Sequence, residues 1–174
     1  SASLRPQDVG LKLDFFPDKL EFGISSERIF LDSMTWNLFG AVEGKKDVLT
    51  YFVNSIRRDN QVLPYSFVSS WSGLPVNEGE IILNDWAAND LKARVGDTIT
   101  ITWFEIGPLR QLVEKSHSLK VKDVVPISGE YGDSGLMPSI PGLSDAGHCR
   151  EWKAGIPIEL DKIRDKDEAY WNQY

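Results

Sequence analysis

Two histidines, one cysteine and a scatter of carboxylates are the side chains of this 174-residue sequence with the most chemistry to offer. His148 and Cys149 adjoin, and Asp145 lies close by in the run Ser144-Asp145-Ala146-Gly147-His148-Cys149. A thiol beside an imidazole can act as nucleophile and base, and the same residue types can hold a metal. Neighbours in sequence seldom point at one another, however, and a zinc site needs more ligands at suitable spacing. The plainer reading is a buried Cys149 beside a partly exposed His148. The other histidine, His117, has no such companion.

The remaining candidates are weaker. Asp123, Asp133 and Asp145 lack the close ligand spacing of a calcium loop. Asp133-Ser134-Gly135 and Tyr65-Ser66-Phe67-Val68 lack the Gly-x-Ser-x-Gly spacing of a nucleophile elbow. Asp161, Asp165, Asp167 and Glu168 alternate with Lys162, Arg164 and Lys166, which reads as a solvated helix face laced with ion pairs rather than an acid–base pair. No phosphate-binding glycine loop is present. Trp152, Tyr170, Trp171 and Tyr174 could form a ligand platform, but packing of a terminal helix or an interface accounts for them as well. The residues therefore assign no catalytic, cofactor-binding or metal role, and point to a non-enzymatic domain that binds or transmits force.

Composition narrows the partners. With 41% hydrophobic and 26% charged residues, the chain can bury a core. A formal charge of −7 disfavours nucleic acid and anionic lipid. Lys45-Lys46 and Arg57-Arg58 are too small to make a basic patch. One cysteine permits no internal disulfide and leaves the compartment open. No apolar run approaches the roughly 20 residues of a membrane span. Ser1-Ala2 reads as a remnant of tag removal, so the chain is expected to be an excised piece.

The elements that must position these residues centre on Glu80–Phe104. Glu80–Leu83 is an apolar strand. Asn84 and Asp85 are good helix caps, and Leu83, Trp86, Ala87 and Leu91 form one helical stripe. Lys92 and Arg94 suit the helix C-terminus. Gly96-Asp97 signals a turn, and Thr98–Phe104 alternates as a half-buried strand. Elsewhere, Val9, Leu11 and Leu13 alternate as a strand before a Pro17-Asp18 turn, and Glu27–Leu31 is a further strand. Ser33–Gly44 is a short helix or packed loop. Asp47–Arg58 is a helix, capped by Asp47, with Val48, Leu49, Phe52, Val53 and Ile56 on one face. Pro64–Ser70 is a strand. Gly107-Pro108 makes a hairpin-like excursion. Leu119–Val125 is a strand pairing antiparallel with Thr98–Phe104, with a bulge at Asp123. Ile127–Gly155 is loop-rich, and Glu159–Tyr174 is a final helix with Leu160, Ile163, Tyr170, Trp171 and Tyr174 on its inner face. Such an order predicts an α+β domain, with a mixed, largely antiparallel sheet and a few short packing helices.

Two stretches carry a family resemblance: Asn84-Asp85-Trp86-Ala87-Ala88-Asn89-Asp90-Leu91 with Val95-Gly96-Asp97-Thr98-Ile99-Thr100-Ile101, and Leu119-Lys120-Val121-Lys122-Asp123-Val124-Val125-Pro126. They resemble the extracytoplasmic region of FtsX-like ABC-transporter permeases, the group that includes MacB-type permeases. A narrower resemblance, to large bacterial permeases with an expanded domain between the first two membrane helices, covers most of the chain. It runs through Asp8–Leu11, Leu49–Asn54, Pro64–Val68, Pro138–Asp145 and Asp165–Trp171.

The resemblance implies a single extracytoplasmic (periplasmic) fragment over 1–174, with subdomain divisions near 72–79 and 126–157. The parent would be an inner-membrane protein that forms a dimer in the full transporter. A separate ABC ATPase would drive it through the missing membrane part. A periplasmic or lipoprotein partner would engage the outer domain, and no cofactor is implied. A small hydrolase using His148, Cys149 or the acidic cluster is the first alternative. A carbohydrate- or peptide-binding module using Trp152 and the terminal aromatics is the second.

Overall fold

The computed structural model describes residues 10–17, 19–26, 37, 40, 42–137, 142–143, 146–152 and 157–171. The chain divides into two compact units, Ser1–Lys46 and Asp47–Tyr174. The first holds an antiparallel hairpin of β1 (Leu11–Phe16) and β2 (Glu21–Ser26). Phe15 pairs with Phe22 across it, their rings 4.8 Å apart. Pro17 lies in the connecting turn. Val9, Asp18 and the strand expected over Glu27–Leu31 lie outside the described residues, as does most of Ser33–Gly44.

The second unit carries a five-stranded mixed sheet in the order β4-β3-β6-β7-β5. Its strands are β3 (Val48–Arg58), β4 (Gln61–Trp71), β5 (Glu80–Asn84), β6 (Thr98–Ile106) and β7 (Leu112–Val125). Neighbours pair antiparallel except β5 with β7, which run parallel. Among the described residues of this unit, helices α1 (Asp85–Leu91) and α2 (Asp165–Trp171) complete the α+β architecture together with short 3₁₀ turns at Gly129–Gly132, Ser134–Leu136, Cys149–Glu151 and Leu160–Lys162.

The helix expected over Asp47–Arg58 is strand β3. Its apolar residues serve two cores, one on each side of the sheet. Val53 and Ile56 enter one with Leu63 of β4. Phe52 packs into the other with Tyr65 and Phe67. A strand of strict period two would keep Phe52 and Ile56 on one side. The pairing instead skips Asn54 and Tyr65, between Val53↔Ser66 and Ser55↔Pro64. Tyr65 has φ 45, outside the strand region, and there both strands exchange faces.

The first core contains Leu91 and Ile99, both 0% exposed, with Leu83, Ala87, Ala88 and Val121. Asn84 caps α1 by accepting from the Ala87 amide at 2.7 Å. The helix ends at Lys92, which takes the left-handed conformation with φ 53. Ala93 N then donates back to Ala88 O at 2.8 Å. No basic residue lies in the last turn of α1. The turn at Gly96-Asp97 follows, and Asp97 Oδ2 accepts from Arg94 N at 2.8 Å.

The strand expected over Leu119–Val125 is the C-terminal half of a longer β7. Leu119 and Lys120 pair with β6 as expected, but residues from Val121 on pair with β5 instead. The β5–β7 register shifts between Ile81↔Val121 and Ile82↔Asp123, so the bulge falls at Lys122, one residue before its expected place. The final helix is shorter than Glu159–Tyr174, being a 3₁₀ turn followed by α2. Ile163 is buried, whereas Leu160 is 37% exposed. Tyr174 lies outside the described residues.

Candidate functional site

His148 and Cys149 do not act on each other. Cys149 opens a 3₁₀ turn and is 2% exposed, within the second core beside Trp152 and Ile163. Burial, reinforced by the negative charge of Glu168, pushes its thiol up to about 11. A thiol so placed stays protonated at neutral pH, which removes the nucleophile. The His148 side chain is 61% exposed and turns toward α2, with Nδ1 3.5 Å from Glu168 Oε1. Asp145 lies outside the described residues. His117 sits on β7, exposed, opposite Ile101 of β6.

Asp133 and Asp123 serve the backbone. Asp133 Oδ1 accepts from Gly135 N at 2.7 Å and caps the Ser134–Leu136 turn. Asp123 Oδ1 accepts from Val124 N at 2.8 Å. Among the described residues, no three His, Cys, Asp or Glu side chains come together as metal ligands do.

The acidic run contains a feature that its sequence concealed. Asp167 is 2% exposed, and it is held by Arg164. Arg164 donates to it from the backbone N at 2.9 Å, from Nε at 2.7 Å and from Nη2 at 2.5 Å. Nη2 also reaches Asp90 of α1 at 2.6 Å, and Nη1 donates to Val62 O of β4 at 3.1 Å. Lys166 binds the other oxygen of Asp90. One guanidinium thus ties the C-terminal segment to both a helix and a strand. Burial opposes the charge on Asp90, but hydrogen bonds from Lys166 and Arg164 outweigh it and hold the carboxyl below its usual range. Each carboxylate here has a cation of its own, so the group is an ion-pair clamp rather than an acid–base pair. The spacing of Arg164 and Asp167 was visible in the sequence. That Asp90 is the third member, 74 residues away, was not.

The aromatic set is packing, not a flat platform. Trp152 is 8% exposed and meets Phe52, Tyr65 and Trp171 edge-on. Tyr65 Oη accepts from Glu159 N at 2.6 Å and joins β4 to the C-terminal segment. Tyr170 stacks on Trp86 of α1, their centroids 4.1 Å apart, and its hydroxyl accepts from Asn84 Nδ2 at 3.1 Å. The sequence placed Trp86 and Tyr170 on apolar faces; the structure shows that they meet.

An open hollow of about 230 Å³ lies over β3, β4 and β6, floored by Leu49, Tyr51, Val53, Val68, Ile101 and Trp103. Its lining has hydroxyl groups but no charged side chain. It can receive an apolar group and supplies no acid or base to act on one.

Fold and site together define an α+β domain with a mixed sheet, closed by an ion-pair clamp. A scan against models of known protein families gives no match, and a search of curated proteins finds no relative. No helix among the described residues is long and apolar enough to cross a membrane.

Proposed function

We propose that this chain is a non-catalytic extracytoplasmic domain of an FtsX-like, MacB-type ABC-transporter permease, acting in partner binding and mechanical transmission. One observation carries the reading. The two stretches that resemble those permeases fold against each other as a single unit. The Gly96 amide donates to Val121 O at 2.7 Å, and the Val121 amide donates to Asp97 O at 2.8 Å. The helix Asp85–Leu91 packs Leu91 into the core that Ile99 and Val121 also line. In this reading the interlocked parts move together and pass a displacement on to the sheet.

In this reading the ATPase is a separate chain, reached through membrane segments of the parent protein at the inner membrane. The domain faces a periplasmic or lipoprotein partner and works as part of a dimer. The buried, protonated Cys149 and the outward His148 weigh against the hydrolase alternative. The edge-packed Trp152 weighs against a flat sugar platform.

The parent gene provides the test. Its product should carry membrane helices flanking this domain, with an ABC ATPase encoded alongside. Epitope tags placed within the domain should be accessible to protease in spheroplasts without lysis. A parent without membrane helices, or a tag protected until lysis, would overturn the assignment.

A further inference from the structure

The open sides of the sheet differ in how they are guarded. On β4, Pro64 lacks an amide donor, Tyr65 leaves the strand conformation, and Arg164 occupies the Val62 carbonyl. The short β5 runs straight into α1. Strand β7 is different. On its outer side β5 pairs only with Lys120–Val125, while Leu112–Leu119 is paired on the β6 side alone among the described residues. The Lys120 amide donates outward, to Gly79 O, and the Val121 amide donates inward, to Asp97 O. The β6–β7 register is unbroken from Lys120 back to Leu112. Alternation therefore turns the amides and carbonyls of Glu114, Ser116 and Ser118 outward. Residues Glu114–Ser118 are all exposed, with no proline or bulge to block an incoming strand.

We infer that the outer side of β7 over Leu112–Leu119 is a strand-addition site for an extended segment of a partner protein carrying acidic side chains at alternate positions. Lys115 lies opposite Trp103 and His117 opposite Ile101, so both share one face with the half-buried Leu119. Glu114 lies on the other face, where its carboxylate accepts from Asn54 Nδ2 at 3.0 Å. A strand added beside β7 meets the Lys115 ammonium on one face, with the polar His117 ring next along it, and opposite charges across strands attract. An exposed lysine on an open strand also discourages indiscriminate pairing, which makes the edge selective rather than sticky. A second copy is a poorer fit, because pairing two β7 edges about Ser116 would set Lys115 opposite His117, which offers it no carboxylate. The inference holds whether or not the parent is a permease.

The whole chain, isotope-labelled, would be titrated with a short peptide alternating Glu and Val and with its Lys-for-Glu counterpart, following amide exchange by NMR. The amides of Glu114, Ser116 and Ser118 should become protected, with those of Lys115 and His117 unchanged. The Glu peptide should bind about fivefold more tightly than the Lys peptide. Lys115→Glu with His117→Glu, which leaves the backbone intact, should reverse that order. Ser116→Pro removes an outward donor that β6 does not use, and should abolish protection while circular dichroism stays unchanged. Equal binding of the two peptides, binding of neither, or binding indifferent to Ser116→Pro would overturn the proposal. Concentration-dependent dimerisation that protects the same amides would also overturn it, by assigning the edge to a second copy.

Discussion

Replacing Asp167 with Ala removes a carboxylate whose side chain is 3% exposed and which accepts three hydrogen bonds from Arg164. Hydrogen bonds to charged groups contribute about 1.5–3 kcal/mol each, and breaking a buried pair costs about 3–5 kcal/mol. Here the loss is smaller, because the Arg164 side chain is 33% exposed and keeps Asp90. Water and the second carboxylate offset part of it, leaving about 2–3 kcal/mol. For a unit of this size that is a fall of about 6–12 °C in Tm. Arg164→Met should cost more, about 3–5 kcal/mol, because it strands the buried Asp167 carboxylate and leaves Asp90, 7% exposed, with Lys166 alone. Urea unfolding followed by tryptophan fluorescence measures each loss. In a double-mutant cycle the combined variant should lose about 1–2 kcal/mol less than the sum of the two. A loss under about 0.5 kcal/mol for Asp167→Ala, or strict additivity, would show that the clamp does not hold the C-terminal segment.

Three further outcomes follow from the geometry. Asp90 has its folded pKa depressed, so its contribution is present above the unfolded value of about 3.9 and is lost as pH falls through the folded pKa. Thermal melts should show stability declining below about pH 4, and Asp90→Asn should flatten that decline; an unchanged slope would dissociate Asp90 from it. With its thiol pushed up to about 11, Cys149 should react with iodoacetamide at pH 8 at least about 100-fold more slowly in the native chain than in urea, as read by mass spectrometry. Rapid native labelling would contradict its burial. Lys92→Gly should stabilise the chain by about 0.5–1 kcal/mol, because glycine takes the φ 53 of this helix end without strain. A loss in the urea midpoint would mean that the Lys92 side chain holds more than its backbone costs.

How much of this was legible depended on whether neighbours or distant residues set the pattern. The run Glu80–Phe104 was readable because its cap, stripe, turn and alternation are all local. Asn84 caps, Gly96-Asp97 turns and Ile99 is buried as its spacing implies. Ala88 is also buried, which the stripe omitted because it falls at i+5 from Leu83, outside the spacing of Leu83, Trp86, Ala87 and Leu91. Strand β3 misled for a physical reason. A strand that meets a core on each side and also exchanges faces, with Leu49 left exposed near its start, spaces its apolar residues at 49, 52, 53 and 56, which imitates a helix. The strand expected over Pro64–Ser70 is found within β4, but nothing local announced φ 45 at Tyr65. The clamp was illegible for the opposite reason. Asp167 reads as a surface acid until Asp90, Lys166 and Val62 are brought around Arg164. Of the candidate chemistry, the buried reading of Cys149 agrees with the structure, and His148, expected to be partly exposed, has a side chain 61% exposed.

The exchange of faces at Asn54 and Tyr65 bears on how the second unit comes apart. Its two cores lie on opposite sides of the sheet, and ordinarily such cores can melt in succession. Here Phe52 and Ile56 on β3, and Leu63 and Tyr65 on β4, which strict alternation would keep on one side, are anchored in different cores. Neither core can lose β3 or β4 without dragging the other open. Tryptophan fluorescence, reporting Trp152 and Trp171 in one core and Trp86 and Trp103 against the other, and far-ultraviolet circular dichroism, reporting the whole sheet, should therefore trace a single coincident transition. A pull at the C-terminal end would meet that same shared resistance, with no weaker layer to yield first.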